Sequence, residues 1–214
     1  MTETPEKIQV RQAKGSEDLP YLVEMEQEWI PTQRATPEQL ASRVEKFPEG
    51  TLLAFIGDQV VATLTSVPIE YDPRELYRYS TWAEVSNEGM MHWPPIGTPN
   101  ALYVISGIVR EGYHDRQLFE IVLNRICEVA AEMGYRYVLA GARLPAYKRY
   151  LEKRGEIPAA EYALKKVGEH FVDPLIEKYR RIDFKLPGPD HVKAGYYPDE
   201  SSLDYAAIVV REVS

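Results

Sequence analysis

Residues 101–123 read ALYVISGIVREGYHDRQLFEIVL, and this stretch decides the fold. Its first nine residues form a continuous apolar run, which is typical of a buried strand. From Leu118 onward, apolar residues such as Val122 recur at helical spacing until Gly134, where the helix is expected to end. A strand that turns directly into a helix is an arrangement that proteins use to hold phosphates at the helix N-terminus. The stretch therefore predicts a strand, a turn and a helix that together can bind an anion.

The regions on either side supply more strands. Residues 137–140 follow the helix and are apolar, so they predict a strand parallel to the first one. Residues 51–71 read TLLAFIGDQVVATLTSVPIEY, which predicts two strands joined by a hairpin turn at Gly57-Asp58. The other predicted elements are a strand at 8–12, helices after Ser16, after the capping box at 36–39, at 147–153 and at 175–181, and strands around Phe184 and at 205–213. Residues 72–99 predict a long aromatic loop.

Composition and charge narrow the class of protein. The chain has 214 residues, 44% of them hydrophobic, as expected for one globular domain over 1–214. A net charge of -8 without a Lys/Arg-rich block argues against nucleic acid as a partner. The sequence has no apolar run long enough for a membrane span or a signal peptide, so a cytoplasmic location is expected. The spacing of its four histidines predicts no metal site, and Cys127 is interpreted as a buried apolar residue.

The order of elements predicts a mixed sheet flanked by helices, in the α/β (α+β) class. With GIVREGYHDRQL at its centre and EKYRRIDFKL near its end, the chain resembles the GNAT superfamily of N-acetyltransferases from Ile8 to Val213. The resemblance implies a central sheet that splays after Val109 into a V-shaped cleft. It also implies an acyltransferase that moves an acyl group from acetyl-CoA or another acyl-CoA to a small-molecule acceptor, an amine.

The resemblance also identifies a binding site for the acyl donor. It places the backbone of Ile108 and Val109 beside the donor carbonyl. The loop that would face the CoA phosphates consists of His114, Asp115, Arg116, Gln117 and Leu118. Where the superfamily has glycines, this chain has Asp115, Gln117 and Phe119. Because glycine lets the backbone approach a phosphate without an intervening Cβ, their absence predicts that the loop faces an anion but binds CoA weakly or not at all in the usual pose.

A second segment of the resemblance suggests a catalytic acid. In the superfamily a tyrosine precedes a Gly-Phe pair by a fixed interval, and here Tyr179 precedes Phe184 with Asp183 in the glycine position. That tyrosine protonates the departing CoA thiolate, a role that suits a hydrogen-bond donor placed beside the sulfur. The resemblance therefore implies that Tyr179 is the general acid.

A narrower likeness concerns the biosynthetic members of the superfamily. FPEGTLLAF and the later STWAEVS resemble the GNAT-like domains of polyketide synthase loading modules, which decarboxylate malonyl groups and deliver acyl groups to a carrier protein. In those domains a histidine stands at the position of Tyr179. The likeness makes an acyl carrier protein a candidate partner, and it keeps a decarboxylase as an alternative function.

The long aromatic loop offers candidates for a general base. Glu84 and His92 lie in it, beside the strand that would line the acceptor pocket, and either side chain can take a proton from an amine. As solvated loop residues they would have no catalytic role. A binding module without catalysis also stays among the alternatives, because the missing glycines favour it while Tyr179 favours an enzyme.

Overall fold

The computed structural model describes residues 7–213, and its centre is a mixed sheet of seven strands. The strands of this sheet are β1 Ile8–Gln12, β2 Thr51–Ile56, β3 Gln59–Ile69, β4 Ala101–Val109, β5 Tyr137–Arg143, β8 Val192–Lys193 and β9 Ala206–Glu212. A separate small hairpin consists of β6 Lys166–Val167 and β7 His170–Phe171. The spatial order in the main sheet is β1-β2-β3-β4-β5-β9-β8.

Helices cover both faces of the sheet. They are α1 Leu19–Met25, α2 Pro37–Lys46, α3 Trp82–Ser86, α4 Leu118–Glu132, α5 Tyr147–Arg154, α6 Ala159–Leu164 and α7 Pro174–Arg181. Buried residues of α1 and α2, such as Leu22 and Val44, share a small core with Ile108 of β4. The larger core lies on the other face, where α4 contributes Ile126 and Cys127. Cys127 is buried as predicted, and burial raises the pKa of its thiol to about 12.

The predicted centre of the fold is confirmed. β4, α4 and β5 form where the sequence indicates, and the hairpin of β2 and β3 turns at Gly57, whose φ is 59°. β4 and β5 are adjacent and parallel, with Ala101 opposite Tyr137 and Val104 opposite Ala140. Among residues 7–213, no helix is long and apolar enough to cross a membrane.

The cleft begins earlier along β4 than predicted. β5 pairs with β4 over four residues, and beyond Val104 the two strands diverge, although β4 continues to Val109 beside β3. A register irregularity in β4 lies at the same point, because Thr65 and Ser66 of β3 face Ser106 and Val104 and leave Ile105 as an extra residue. The bulge and the divergence together make the cleft, so the expected splay after Val109 is corrected to a splay after Val104.

Three other expectations also need correction. Phe184 lies in no strand. The predicted strand around it is reduced to a single bridge between the neighbouring Lys185 and Val210. The long loop contains the short helix α3, which a Thr81 capping box starts. Between the predicted helices at 147–153 and 175–181, where the sequence predicts no element, the structure contains α6 and the β6–β7 hairpin, and β8 adds a short edge strand next to β9.

Candidate active site

The divergence of β4 and β5 leads into a cavity of about 460 Å³. One side, which we call the strand wall, consists of Val104, Ile105, Ser106, Gly107, Phe119, Gly141, Leu175 and Tyr179. The opposite side, which we call the helix wall, consists of Glu26, Trp29, Thr32, Gln33, Arg34, Ala35, Gln39 and Arg43. Trp82, Arg143, Tyr196 and Tyr197 complete the lining. The sheet therefore faces α2 and the connection between α1 and α2 across one chamber.

The strand wall presents backbone groups that the sheet leaves unpaired. Arg110 donates its N–H to the Val61 carbonyl at 2.9 Å, so these two residues form a hydrogen-bonded pair of the antiparallel ladder. Since such pairs alternate, Ile108 bonds towards β3, while the N–H and C=O groups of Gly107 and Val109 point towards the side that β5 has left. Of the two residues predicted to align the donor, Val109 directs its backbone to the side that β5 has left and Ile108 does not, and neither residue lines the cavity itself.

Tyr179 lies on the strand wall, as its predicted role requires. It is 5% exposed, and burial raises the pKa of its phenol while Arg143 opposes that rise. Because its pKa is raised, the phenol stays neutral and keeps a proton to donate, and its hydroxyl has no hydrogen-bond partner among the described side chains. Its ring packs edge-on against Phe184 and Phe119, with centroids 5.2 and 5.4 Å away. Phe119 therefore turns into the cleft beside Tyr179, as its position predicts.

A pair of buried tyrosines closes the inner end of the cavity. The hydroxyls of Tyr103 and Tyr196 are hydrogen-bonded to each other, and burial raises the pKa of both. Gly141 makes room for them, because a Cβ at this residue would lie 2.7 Å from the Tyr103 Oη and 2.7 Å from the Tyr196 Cε1. Gly141 directly follows Ala140, the last residue of β5 that pairs with β4. The glycine and the two phenols thus fill the point where the strands separate.

The predicted phosphate loop has the backbone shape of a glycine-containing turn without the glycines. His114–Arg116 form a single 3-10 turn, and Gln117 adopts φ 55° and ψ 24°, a left-handed conformation that favours glycine. No side chain caps the N-terminus of α4 among the described residues, so the N–H groups of its first turn are available to an anion. His114, Arg116 and Gln117 are exposed, Leu118 is buried, and the side chain of Asp115 lies outside the described part of the chain.

The two residues predicted as bases lie elsewhere. The Glu84 carboxylate accepts the N–H of Ser80 at 2.7 Å and thereby caps α3, while His92 Nε2 bonds to the Glu84 carbonyl at 2.9 Å. Neither lines the cavity. The structure gives both a local structural role, and their catalytic role stays a prediction that the cavity does not support.

The helix wall holds a carboxylate that sequence reasoning missed. Glu26 follows α1 and is 4% exposed, and its Oε2 accepts the N–H of Ala35 at 2.7 Å. Burial raises the pKa of Glu26, and the Ala35 N–H, Arg43 and Arg34 partly oppose the rise. A buried carboxyl group with a raised pKa is a better proton acceptor near neutral pH than an exposed one.

The same wall holds a buried arginine, which the sequence analysis also did not identify. Arg43 of α2 is 2% exposed, and its Nε donates to the Gly89 carbonyl at 2.9 Å. Burial lowers the pKa of Arg43 to about 10, so the guanidinium is still charged at neutral pH. Arg43 and Glu26 influence each other electrostatically, but they form no direct ion pair within 4.0 Å among the described residues.

Aromatic side chains connect the two walls. The Trp82 indole donates to the Ile105 carbonyl at 2.8 Å and thereby binds the bulge of β4. Its ring packs edge-on against Tyr197, with centroids 5.4 Å apart. Trp29 of the helix wall lies under the guanidinium of Arg143, 5.0 Å from its centre, and Arg143 pairs with Asp199 at 2.9 Å. The cavity is therefore aromatic around its rim and charged on its helix wall.

Comparison with known proteins agrees with this geometry. The chain is 26% identical to the uncharacterized N-acetyltransferase YkwB of Bacillus subtilis (strain 168) over 198 residues, 90% of this chain and 83% of that protein. It is 23% identical to the probable hydrolase YhcX of the same organism over 215 residues, and spans 39% of the length of that protein. No protein-family model matches the sequence.

Two solved structures share the architecture over nearly their whole length. The loading GNAT-like domain of CurA from Lyngbya majuscula has a TM-score of 0.78 at 20% identity, with 97% of this chain and 98% of that chain covered. The GphF GNAT-like decarboxylase, solved in complex with isobutyryl-CoA, has a TM-score of 0.78 at 21% identity, with 96% and 100% covered.

The chain therefore has the GNAT fold. The resemblance predicted from GIVREGYHDRQL and EKYRRIDFKL is confirmed, and so is the likeness to GNAT-like loading domains predicted from FPEGTLLAF and STWAEVS.

Proposed function

We propose that the protein is a GNAT-type acyltransferase that moves an acyl group from a thioester to a small-molecule acceptor by direct attack. The observation that carries the proposal is the divergence of β4 and β5 after Val104, which leaves unpaired backbone groups on one side of a cavity that also contains Tyr179. The relationship to a curated N-acetyltransferase supports the same reaction class.

The strand wall holds the donor in this proposal. The backbone N–H groups of Gly107 and Val109 point into the cleft, where they can donate to a thioester carbonyl and stabilise the negative charge that develops on it. Tyr179, neutral and nearly buried, donates a proton to the departing thiolate. Both contributions come from groups that the fold fixes before the substrate arrives.

We propose acyl-CoA as the donor, held less tightly than in members of the superfamily that have the glycines. The first turn of α4 and the exposed Arg116 and His114 suit the CoA phosphates, and a structural neighbour was solved with isobutyryl-CoA. Against tight binding, Gln117 places a Cβ where a glycine would not, and Phe119 fills part of the cleft near Gly107.

Calorimetric titration of the purified protein with acetyl-CoA, paired with detection of released thiol in the presence of amines, tests this function. We expect saturable binding up to millimolar acetyl-CoA and acceptor-dependent release of CoA. An Arg116→Ala variant should bind acetyl-CoA more weakly, while Arg125→Ala, on the exposed face of α4 with Glu128 and Glu132 as partners, should not. Absence of binding at millimolar acetyl-CoA would rule out the CoA-dependent form.

A second candidate function is decarboxylation or transfer on a carrier-bound acyl group. It rests on the TM-scores of 0.78 with a GNAT-like decarboxylase and a loading domain, against 0.59 with a ribosomal-protein-alanine N-acetyltransferase from Escherichia coli. Incubation with malonyl-CoA distinguishes the two, because a decarboxylase forms acetyl-CoA and carbon dioxide without any acceptor. An acyl carrier protein loaded with a malonyl group tests the carrier-bound form.

A further inference from the structure

The helix wall contains two buried charges of opposite sign that each have unused hydrogen-bonding capacity. The Oε1 of Glu26 and the Nη groups of Arg43 have no hydrogen-bond partner among residues 7–213, although both residues are at most 4% exposed. Burial of an ionised group is costly unless a partner compensates its charge. Since the two side chains do not pair directly with each other, a ligand that pairs with both offers the missing compensation.

The architecture around Arg43 makes it part of a built site. The side chains of α2 bind successive carbonyls of the segment 88–91, with Gln39 on Glu88 at 2.6 Å, Arg43 on Gly89 at 2.9 Å and Lys46 on Met90 at 2.9 Å. Lys46 and Arg43 thus share the task of holding this segment, but Arg43 lines the cavity and Lys46 does not. The Nε contact fixes the guanidinium plane while leaving its Nη edge for an anion.

We propose that the acceptor is an amino-acid-like zwitterion whose carboxylate is bound by Arg43 and whose amine is held and deprotonated by Glu26. This inference rests on the proposed acyltransferase function and names the substrate class of that same cavity. Arginine binds a carboxylate through two parallel hydrogen bonds, and a buried carboxylate pairs with an ammonium group. The aromatic rim formed by Trp29, Trp82 and Tyr197 favours an acceptor with an apolar or aromatic side chain.

The reaction balances with these groups and water. The acceptor ammonium gives one proton to Glu26 and becomes a free amine, whose nitrogen attacks the thioester carbonyl carbon from the helix wall. The C–N bond forms and the C–S bond breaks. The nitrogen loses its second proton to water, and Glu26 also passes its proton to water. Tyr179 donates a proton to the departing thiolate and recovers one from water, so one proton is released overall. Glu26 acts on the reacting nitrogen, whereas Arg43 sets specificity.

The first test uses matched ligands and needs no variant. The common L-amino acids are screened by thermal shift, and the best binder is compared by calorimetry with its decarboxylated amine and its deaminated acid, for example L-phenylalanine with phenethylamine and 3-phenylpropionate. We expect the amino acid to bind at least about tenfold more tightly than either, because each analogue leaves one buried charge unpaired. Equal binding of all three, or binding of none, would overturn the proposal.

The second test determines which group of the amino acid each of the two charged side chains binds. Arg43→Met should weaken amino-acid binding about tenfold and leave binding of the amine unchanged, and Arg43→Lys should recover a part of the loss. Glu26→Gln keeps the contact with Ala35 and should weaken the amine and the amino acid alike. Lys46→Met and Glu24→Gln are the matched controls, since Lys46 lies on α2 with Arg43, Glu24 lies two residues before Glu26, and neither lines the cavity. If Lys46→Met weakens binding as much as Arg43→Met, Arg43 only holds the segment 88–91 and the proposal fails.

The two proposals fail in different ways. An amino acid that binds through Arg43 but receives no acyl group from any thioester contradicts the acyltransferase function and leaves the zwitterion site standing. Acyl transfer to simple amines and amino acids with equal efficiency contradicts the zwitterion site alone. A malonyl thioester whose turnover depends on Arg43, with no binding of amino acids, would assign Arg43 to the donor and overturn the proposed acceptor.

Discussion

The strand wall and the helix wall of the cavity differ in how they present polar groups. The strand wall offers backbone N–H groups and one neutral phenol, Tyr179, in largely apolar surroundings. The helix wall offers two buried charges, Glu26 and Arg43. A neutral carbonyl needs hydrogen-bond donors, whereas a charged acceptor needs ionic partners. The contrast indicates that the sheet positions the donor and that α2 and the connection before it select the acceptor.

The largest effect that tests this division is expected on the strand wall. Tyr179→Phe removes the phenol proton and keeps the ring contacts with Phe119 and Phe184, so kcat should fall about 100-fold while affinity for the acceptor stays within about threefold. Steady-state kinetics with acetyl-CoA and a responsive acceptor measures both. Tyr162→Phe is the control, because that hydroxyl bonds Asp173 at 3.1 Å, away from the cavity. A fall in acceptor affinity with unchanged kcat would show that Tyr179 binds the acceptor and is not the general acid.

A second prediction concerns Gly141 of the strand wall, at the point where β4 and β5 separate. Gly141→Ala adds a Cβ only 2.7 Å from the Tyr103 hydroxyl, so the tyrosine pair must shift. Overpacking of this kind lowers the free energy of unfolding by about 1–3 kcal/mol. Gly107→Ala is the matched control, since its Cβ would lie 3.7 Å from Phe119, an ordinary contact. Urea denaturation of both variants measures the difference, and equal stability losses would contradict the proposed role of Gly141.

The two walls also differ in how far the sequence predicts them. The loop and Phe119 belong to one contiguous strand, turn and helix, so a local pattern predicts these elements, and the role of the loop as a donor site stays a prediction. Residues that act through distant packing, such as Gly141 and Tyr196, leave no local pattern, because their role depends on pairing between strands far apart in sequence.

The two charged residues of the helix wall can be recognised in the sequence once the positions of the helices are known. Arg43 occupies the same stripe of α2 as Leu40, Val44 and Phe47, at a position where helical spacing calls for an apolar residue. Glu26 stands in the same way between Leu22 and Trp29. A charged residue inside an apolar stripe marks a buried charge, whereas Glu84, which reads as a loop acid, is a helix cap in the structure.

The third prediction compares Glu26 of the helix wall with Asp18, a buried carboxylate that stabilises the fold. Because burial raises the folded-state pKa of Glu26 above its ordinary value of 4.5, the ionised side chain lowers stability as pH rises above that value. Glu26→Gln should therefore stabilise the protein at pH 8 and make little difference at pH 4. Stabilisation of this kind together with lost activity is typical of a functional residue.

Asp18 should behave in the opposite way. Arg11 donates to both of its oxygens, at 2.6 and 2.7 Å, and these bonds hold the pKa of Asp18 below its ordinary value of 3.8. The ionised form then stabilises the fold above that value, and the contribution is lost as pH falls through the lowered pKa. Asp18→Asn should destabilise at pH 8 and lose its effect in acid. Urea midpoints of both variants across this pH range check the signs, and a destabilising Glu26→Gln at pH 8 would make Glu26 a structural residue.

The smallest effect is expected in the donor loop, where the backbone conformation of Gln117 alters the outcome of a substitution. A glycine loses more backbone freedom on folding than other residues, at a cost of about 0.5–1 kcal/mol, but Gln117 precedes α4 and adopts φ 55°, where a side chain costs about 1 kcal/mol or more. The two terms nearly cancel, so Gln117→Gly should leave stability within about 0.5 kcal/mol of the original, whereas Glu120→Gly, inside α4, should lose about 1 kcal/mol.

The same substitution tests whether the loop of the strand wall is a weakened CoA site or a site for another anion. If the Cβ of Gln117 and the ring of Phe119 merely obstruct the phosphates and the thioester arm, the double variant Gln117→Gly with Phe119→Gly should bind acetyl-CoA more tightly in calorimetry, despite the stability lost at Phe119. Phe119→Gly alone separates the contribution of the ring from that of the backbone. If the loop has been reshaped for a different ligand, the double variant should lose the native activity without gaining CoA affinity. Micromolar binding of acetyl-CoA by the unmodified protein would show that Gln117, already in the left-handed conformation, replaces the glycine without loss.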